Sequence, residues 1–327
     1  MKERGETKFQ KFAYGALFAW IFACWIAPYL LPNSLFTNIF SYAPPVLLCL
    51  PIFFAWAFIL IQTLRRKVNR LDIASGFICL ISALILSSFQ FRGNASRDRG
   101  SIRILTINVE MGNRTVPGLK EYVMDRNVDV ILMQEVKGGE QSPAAKLIRD
   151  LPGWHMASAG EVAIVSKWPL TNVSQHPLRS LPGRFVLSAK VNTTEPFSVV
   201  TTHWSVPQFS KGFKGLNRTI TDQIHDYEDT MIMIDKQKSP MILGGDFNNP
   251  PRQHLSRLLA SKLNDANSEV GSGFGWTYPS NRPIITIDHL FSSPMLVPLF
   301  CEVGPSFGSD HCSLYAEYEW SSDYHEG

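Results

Sequence analysis

Residues 12–64 contain no Asp, Glu, Lys or Arg, an uncharged run of 53 positions in a chain of 327. A water-facing surface needs charged side chains, so such a segment cannot form the outside of a soluble domain. Within and just beyond it lie three apolar stretches, residues 12–31, 42–62 and 73–91. Each is close to the roughly 20 residues that an α-helix needs to cross a bilayer. Three in succession without a polar face predict membrane-spanning helices rather than buried core helices. A cleaved signal peptide would be shorter and would not be followed by two more stretches. Pro44, Pro45 and Pro51 bend or cap the second stretch, and Trp20, Trp25, Tyr29, Tyr42 and Trp56 are candidate interfacial anchors.

Lys and Arg in short loops set the expected orientation. Lys2, Arg4, Lys8 and Lys11 precede the first stretch, and Arg65, Arg66, Lys67 and Arg70 join the second to the third, whereas residues 32–41 carry none. The N-terminus is therefore expected in the cytoplasm and everything beyond residue 91 outside it, with Arg92, Arg97 and Arg99 pulling weakly the other way. Residues 1–100 hold 11 basic and 4 acidic side chains and residues 101–327 hold 20 and 24, so the overall +3 divides into +7 and −4. A nucleic-acid-binding domain is ordinarily basic itself, and here the working part is mildly acidic. Five cysteines are too few for a disulfide scaffold or a Cys-rich zinc module. Cys24, Cys49 and Cys79 lie in the apolar stretches; Cys301 and Cys312 can pair if that part is outside the cell, or stay as separate buried thiols.

Residues 94–100 (NASRDRG) read as a polar connector, which divides the chain into an anchor at 1–91, a linker at 92–101 and a second domain at 102–327. In that domain short β-branched runs alternate with helical patterns. Strands are expected at 102–109, 128–133, 162–166, 185–191, 197–202, 241–244, 284–291 and 313–319, and helices at 118–127 and 219–236. Asp222, Asp226, Glu228 and Asp229 are expected to form a solvated face of the latter helix. The alternation predicts a layered α/β fold.

Polar groups recur where the apolar runs end: Asn108, Gln134 and Glu135, His203, Asp246 and Asn248, with Asp288, Asp310 and His311 further on. Strand ends on one edge of a sheet converge, so these distant residues can share a pocket. Carboxylate and amide oxygens suit a hard cation such as Mg²⁺ or Mn²⁺. Hydrolysis of a phosphate ester needs neutralised oxygens, an aligned water and a proton for the leaving group. A cation on Glu135, Asp246 as base and a cationic His311 would supply them. An acidic pocket without a cation would repel a phosphate.

The blocks TINVE, LMQEV, VAIVSKWPL, TTHW, GGDFNNPP, TIDHLF and SDH, in that order over residues 102–319, resemble the endonuclease/exonuclease/phosphatase (DNase-I-like) superfamily. In layout the chain is similar to membrane-anchored bacterial members. The resemblance implies a four-layer sandwich of two mixed β-sheets flanked by helices, here preceded by three transmembrane helices. It implies Glu135 as main metal ligand with Asn108 beside it and Asp310 as a second metal-side carboxylate. Asp246 and Asn248 would orient the attacking water or touch the phosphate, and His311, oriented by Asp288, would contact the phosphoryl group. His203 would be a phosphate contact or leaving-group acid, and Arg184 a phosphate contact or a plain surface residue. Relatives pair the upstream histidine with a carboxylate; no partner for His203 is identifiable in the sequence. His289 reads as structural, and Trp276 as packing beneath the site.

The expected activity is that of a membrane-anchored, divalent-metal-dependent phosphoesterase. The lipid bilayer is its partner, and its substrate is a phosphate ester or pyrophosphate of a lipid or lipid-linked molecule, since three spans hold the pocket near such a substrate. The alternatives are a membrane-tethered nuclease with nucleic acid as partner, against which the −4 charge counts, and a non-catalytic membrane scaffold. No protein partner is implied.

Overall fold

Proline sets the breaks in the apolar N-terminal helices. The computed structural model describes residues 8–65, 70–86, 89–90, 102–110, 116–137, 141–238 and 240–322. The chain divides into two units, Met1–Phe89 with Arg252–His254, and Gln90–Pro251 with Leu255–Gly327.

The first unit contains α1 (Lys8–Trp25), α2 (Ala27–Leu30), α3 (Leu35–Tyr42), α4 (Pro45–Arg65) and α5 (Arg70–Leu86). The stretch expected to run unbroken over 12–31 divides before Ala27, because Pro28 has no N–H and is tolerated only in a first helical turn. The expected loop at 32–41 instead holds α3, whose Ser34 side chain caps it by accepting from the Thr37 N–H at 3.2 Å. Pro45 opens α4 and Pro51 lies inside it. The third stretch, expected to reach residue 91, stops as helix at Leu86, and Gln90 pairs with Gly273. Among the described residues no single helix is long and apolar enough to cross a membrane; α3 with Leu47–Phe58 of α4 passes that test jointly, bent by 79°. Leu17, Cys24, Leu48, Ile52 and Cys79 form a small core. Of the expected interfacial aromatics, Trp20 donates to the Leu48 carbonyl at 3.0 Å and Tyr42 is buried, while Tyr29 and Trp56 are exposed. The linker at 92–101, Lys2, Arg4, Arg66 and Lys67 lie outside the described residues.

The second unit contains two six-stranded sheets. The first joins β1 (Ile102–Asn108), β2 (Val130–Gln134), β3 (His155–Ala159), β4 (Val162–Ser166), β11 (Leu296–Val303) and β12 (Leu314–Trp320) in the order β11-β12-β1-β2-β4-β3. The second joins β5 (Leu170–Pro177), β6 (Phe185–Val191), β7 (Phe197–His203), β8 (Met241–Asp246), β9 (Asn264–Asp265) and β10 (Asp288–Ser292) in the order β5-β6-β7-β8-β10-β9. Each sheet has a central parallel pair, β1 with β2 and β7 with β8, among antiparallel neighbours. Strands covered on both faces read as near-continuous apolar runs, as β2 and β4 do. Ile104, Leu132 and Ile164 of the first sheet meet Leu187, Val199 and Ile242 of the second in a shared core.

The outer faces are covered by helices. α6 (Leu119–Asp125) and α7 (Pro143–Asp150) place Leu119, Val123 and Leu147 against the first sheet, and α8 (Gly212–Asp235) and α9 (His254–Ala260) place Met233, Leu255 and Leu259 against the second. The architecture is the expected α/β layering of two mixed sheets flanked by helices. Cys301 and Cys312 are separate buried thiols. The acidic face expected on α8 is not all solvated: Asp226 and Asp229 are fully buried, because backbone and side-chain donors of neighbouring loops need acceptors there. Asp226 accepts from Ser205 N–H at 2.7 Å and Asp229 from Arg179 N–H at 2.8 Å.

Candidate active site

Strand register assembles half of the site. His203 at the end of β7 lies opposite Asp246 at the end of β8, and Asp246 opposite Asp288 at the start of β10. β7 and β8 lie close at this edge: a side chain on Gly245 would strike the Thr202 carbonyl. The first sheet supplies Asn108, in register with Gln134, and Glu135 just beyond. Glu135 and Asn248 have positive φ, 59° and 46°, unusual for side-chain-bearing residues.

The Asn108 amide joins the sheets. Its Nδ2 donates to Glu135 Oε1 at 3.1 Å and to Asp246 Oδ2 at 3.0 Å, while its Oδ1 accepts the Glu110 N–H at 2.9 Å. Below it Gln134 donates to Thr201 Oγ1 at 3.0 Å, a second buried link between sheets. Asn248 N–H donates to Asp246 Oδ1 at 2.8 Å, and its side chain donates to the Trp204 carbonyl at 3.2 Å. Ser309 ties the 309–311 loop to β1 by donating to the Asn108 carbonyl at 2.7 Å and accepting His311 N–H at 3.1 Å.

Two histidines each rest on a carboxylate. His311 Nδ1 lies 2.9 Å from Asp288 Oδ2, with Nε2 3.7 Å from Asp246 Oδ2. Burial pulls this imidazole down, but Asp288, Asp246 and Asp310 together outweigh it and raise its pKa to about 10, so it is cationic at neutral pH. Asp310 is exposed beside it. Burial likewise drives Asp246 upward, with Asp288 adding to that and His311 and His203 opposing it. His203 Nδ1 lies 2.7 Å from Glu161 Oε1. The other nitrogen, Nε2, is buried without a hydrogen-bond partner among the described residues, 3.5 Å from Asp246 Oδ2 and 3.8 Å from Glu135 Oε1.

Glu161 is the partner that sequence reading does not find. It precedes β4, which runs antiparallel to β2. Its N-terminal end therefore lies at the edge where β1 and β2 end. Burial pushes Glu161 up, but the His203 hydrogen bond and the charges of His203, Arg184 and Lys137 prevail and lower its pKa. Arg184 is placed by this carboxylate, Nε 2.6 Å from Glu161 Oε1 and Nη1 3.0 Å from the Trp204 carbonyl. Gly160 is required beside it, since it has φ 58° and a side chain there would strike the Gly183 carbonyl.

Asn108, Glu135, His203, Asp246, Asn248, Asp288 and His311 thus meet at one edge, with Asp310 at its rim and Arg184 behind Glu161. His289 is buried on its own partner, the Asn249 carbonyl at 3.0 Å, and Trp276 stacks on Phe274. The acid-rich centre fits a cation. Asp246, Asp288 and His311 present ligand atoms within 4.8 Å of one another. Glu135 and Asp246, held on one amide, add further carboxylate oxygens at the same edge.

A four-layer α/β sandwich with this edge defines a class of phosphoester-cleaving enzymes, and residues 105–311 match the Endonuclease/Exonuclease/phosphatase family. The chain belongs to that family and is a phosphoric ester hydrolase. No curated protein matches its sequence significantly. Among solved structures it is similar to a mannosyl-6-phosphatase of Bacteroides thetaiotaomicron, at 16% identity and TM-score 0.56 over 67% of this chain and 100% of that one. It is also similar to a 3′ phosphatase from Neisseria bound to a product DNA hairpin, at 21% identity and TM-score 0.55 over 67% and 100% of the two chains. An AP endonuclease from Archaeoglobus fulgidus aligns at 18% identity and TM-score 0.53 over 66% and 99%.

Proposed function

We propose that this protein is a membrane-anchored, divalent-cation-dependent phosphoesterase whose substrate is a phosphate ester or pyrophosphate of a lipid or lipid-linked molecule. The observation that carries the reading is the meeting of Glu135, Asp246 and Asn108 with two histidines, each backed by its own carboxylate. Mg²⁺ or Mn²⁺ would be held by Glu135 with Asp246 and Asp310 alongside, neutralising phosphate oxygens and polarising phosphorus. Asn108 fixes the spacing of the first two carboxylates. Asp246 takes the proton of the water whose oxygen attacks phosphorus, and Asn248 orients it. His311, cationic on Asp288, stabilises the phosphoryl oxygens. As the bond to the leaving oxygen breaks, His203 gives that oxygen its Nε2 proton, with Glu161 holding Nδ1 and Arg184 holding Glu161.

Placement at the cell membrane, multi-pass and with the hydrolase unit outside the cytoplasm, rests on the uncharged run, the distribution of Lys and Arg, and the apolar exterior of the first unit. Twenty of the 31 exposed large apolar side chains among the described residues precede residue 90. The test assays the full chain in detergent against a polyprenyl pyrophosphate, sphingomyelin, an inositol phosphate and single- and double-stranded DNA. Preference for a lipid-borne phosphate is expected, and efficient cutting of DNA alone overturns the substrate assignment. A reporter after Gly327 is expected to be active outside the cytoplasm; activity inside overturns the orientation.

A further inference from the structure

Beyond β7 the chain runs outward from the site along a short, strongly pinned path. Ser205 N–H is held by Asp226 Oδ2 at 2.7 Å, and Gln208 N–H by Thr219 Oγ1 at 3.0 Å. The Gln223 amide donates at 2.9 Å to both the Ser205 carbonyl and the Asn248 carbonyl, so one side chain fixes this path and the water-orienting asparagine. What the path displays is apolar: Val206 is 51% exposed, Phe209 53% and Phe213 68%. Interleaved with them are exposed Lys211, Lys214 and Arg218. Arg218 is paired with Asp222 at 3.4 Å, whereas neither lysine pairs with a carboxylate among the described residues. Residues 196–221 contain no Asp or Glu, although residues 101–327 carry a net −4.

An exposed aromatic and aliphatic cluster ringed by lysines is the composition that seats in the headgroup layer of an anionic bilayer, with apolar side chains entering the acyl boundary and ammonium groups on the phosphates. We propose that residues 205–218 are a bilayer-docking surface that sets the active-site rim against anionic lipid headgroups. The proposal rests on the membrane reading above and deepens it: the enzyme would take its substrate from the bilayer surface at this rim. Single-stranded nucleic acid also uses aromatic faces beside cations. The aliphatic Val206, which offers no face for base stacking, and the membrane reading favour lipid.

The test is full-length Phe213→Trp protein in vesicles of brominated phosphatidylcholine with phosphatidylglycerol, its emission read as the difference from the parent. Quenching of the added indole by brominated acyl chains is expected. Lys211→Glu and Lys214→Glu in that background are each expected to weaken docking about fivefold, and only in anionic vesicles. Emission unmoved by brominated lipid, or quenched by a single-stranded oligonucleotide instead, overturns the proposal. The signal needs no turnover, so it survives a failure of the phosphoesterase assignment and is lost only if the docking itself is wrong.

Discussion

In the helical first unit Phe54 and Phe77 stand 66% and 64% exposed while Ser41 and Ser82 are buried; in the second, Ile104 and Leu132 are wholly buried, and so are the carboxylates Asp246 and Asp288. The first unit turns many large apolar side chains outward, the exposure on which the proposed membrane anchoring rests. The second is a two-sheet sandwich that concentrates buried charge at one edge. A buried carboxylate is tolerated only when donors or opposite charge compensate it. Asp246 has Asn108, the Asn248 N–H and the nearby histidines, and Asp288 has His311. The proposed anchoring belongs to one unit and the reaction to the other, and each can be disturbed separately.

The largest expected effect is on the reaction. Asp246→Asn and His311→Ala should each lower kcat/KM by on the order of 10³-fold with membrane insertion and circular dichroism unchanged. Normal turnover would mean that the buried charge serves only structure. Next comes the apolar exterior. Phe54→Lys should weaken membrane retention by roughly 3 kcal/mol if that side chain faces hydrocarbon, read as release on alkaline extraction; unchanged retention would detach the first unit from the bilayer. Glu161→Gln should then cost about 10²-fold in kcat, with partial recovery in Glu161→Asp, because His203 loses the carboxylate charge beside its Nδ1.

The smallest effect concerns Asp129, far from the reaction, which accepts the Arg103 N–H at 2.9 Å. Burial raises its pKa to about 6, against the partial opposition of that hydrogen bond, Lys167 and Arg103. The folded chain keeps this proton to higher pH than the unfolded one. Its contribution to stability is thus present below pH 4 and lost as pH rises through about 6. Asp129→Asn should gain on the parent as pH rises between those limits, by about 3 kcal/mol in all, measured by urea unfolding; parallel curves would show that the carboxyl titrates normally.

Sequence discloses these regions unevenly, for physical reasons. β4 and β6 fall where their β-branched runs place them, and the motif residues meet because they end or begin neighbouring strands. β5 is missed because nearly all of it is exposed and carries no alternation, and β11 because Pro298 interrupts it at a register shift against β12. The helical period of α8 is legible, but not that Asp226 and Asp229 share the inward face with Thr230 and Met233. Loop N–H groups that need acceptors, rather than any property of the helix itself, turn those acids inward. The Glu161–His203 pair is hidden for a related reason, since its two members are joined only once β4 is known to run antiparallel.

The central claim is that Glu135 and Asp246 trap a divalent cation on which hydrolysis depends. The direct measurement is turnover of a soluble phosphodiester by the full-length protein in EDTA, followed by titration with Mg²⁺ or Mn²⁺, in parent and Glu135→Gln. No turnover is expected in EDTA, with recovery on adding cation and a requirement for far more cation in the variant. Undiminished turnover in EDTA, or identical titrations for the two proteins, would contradict it.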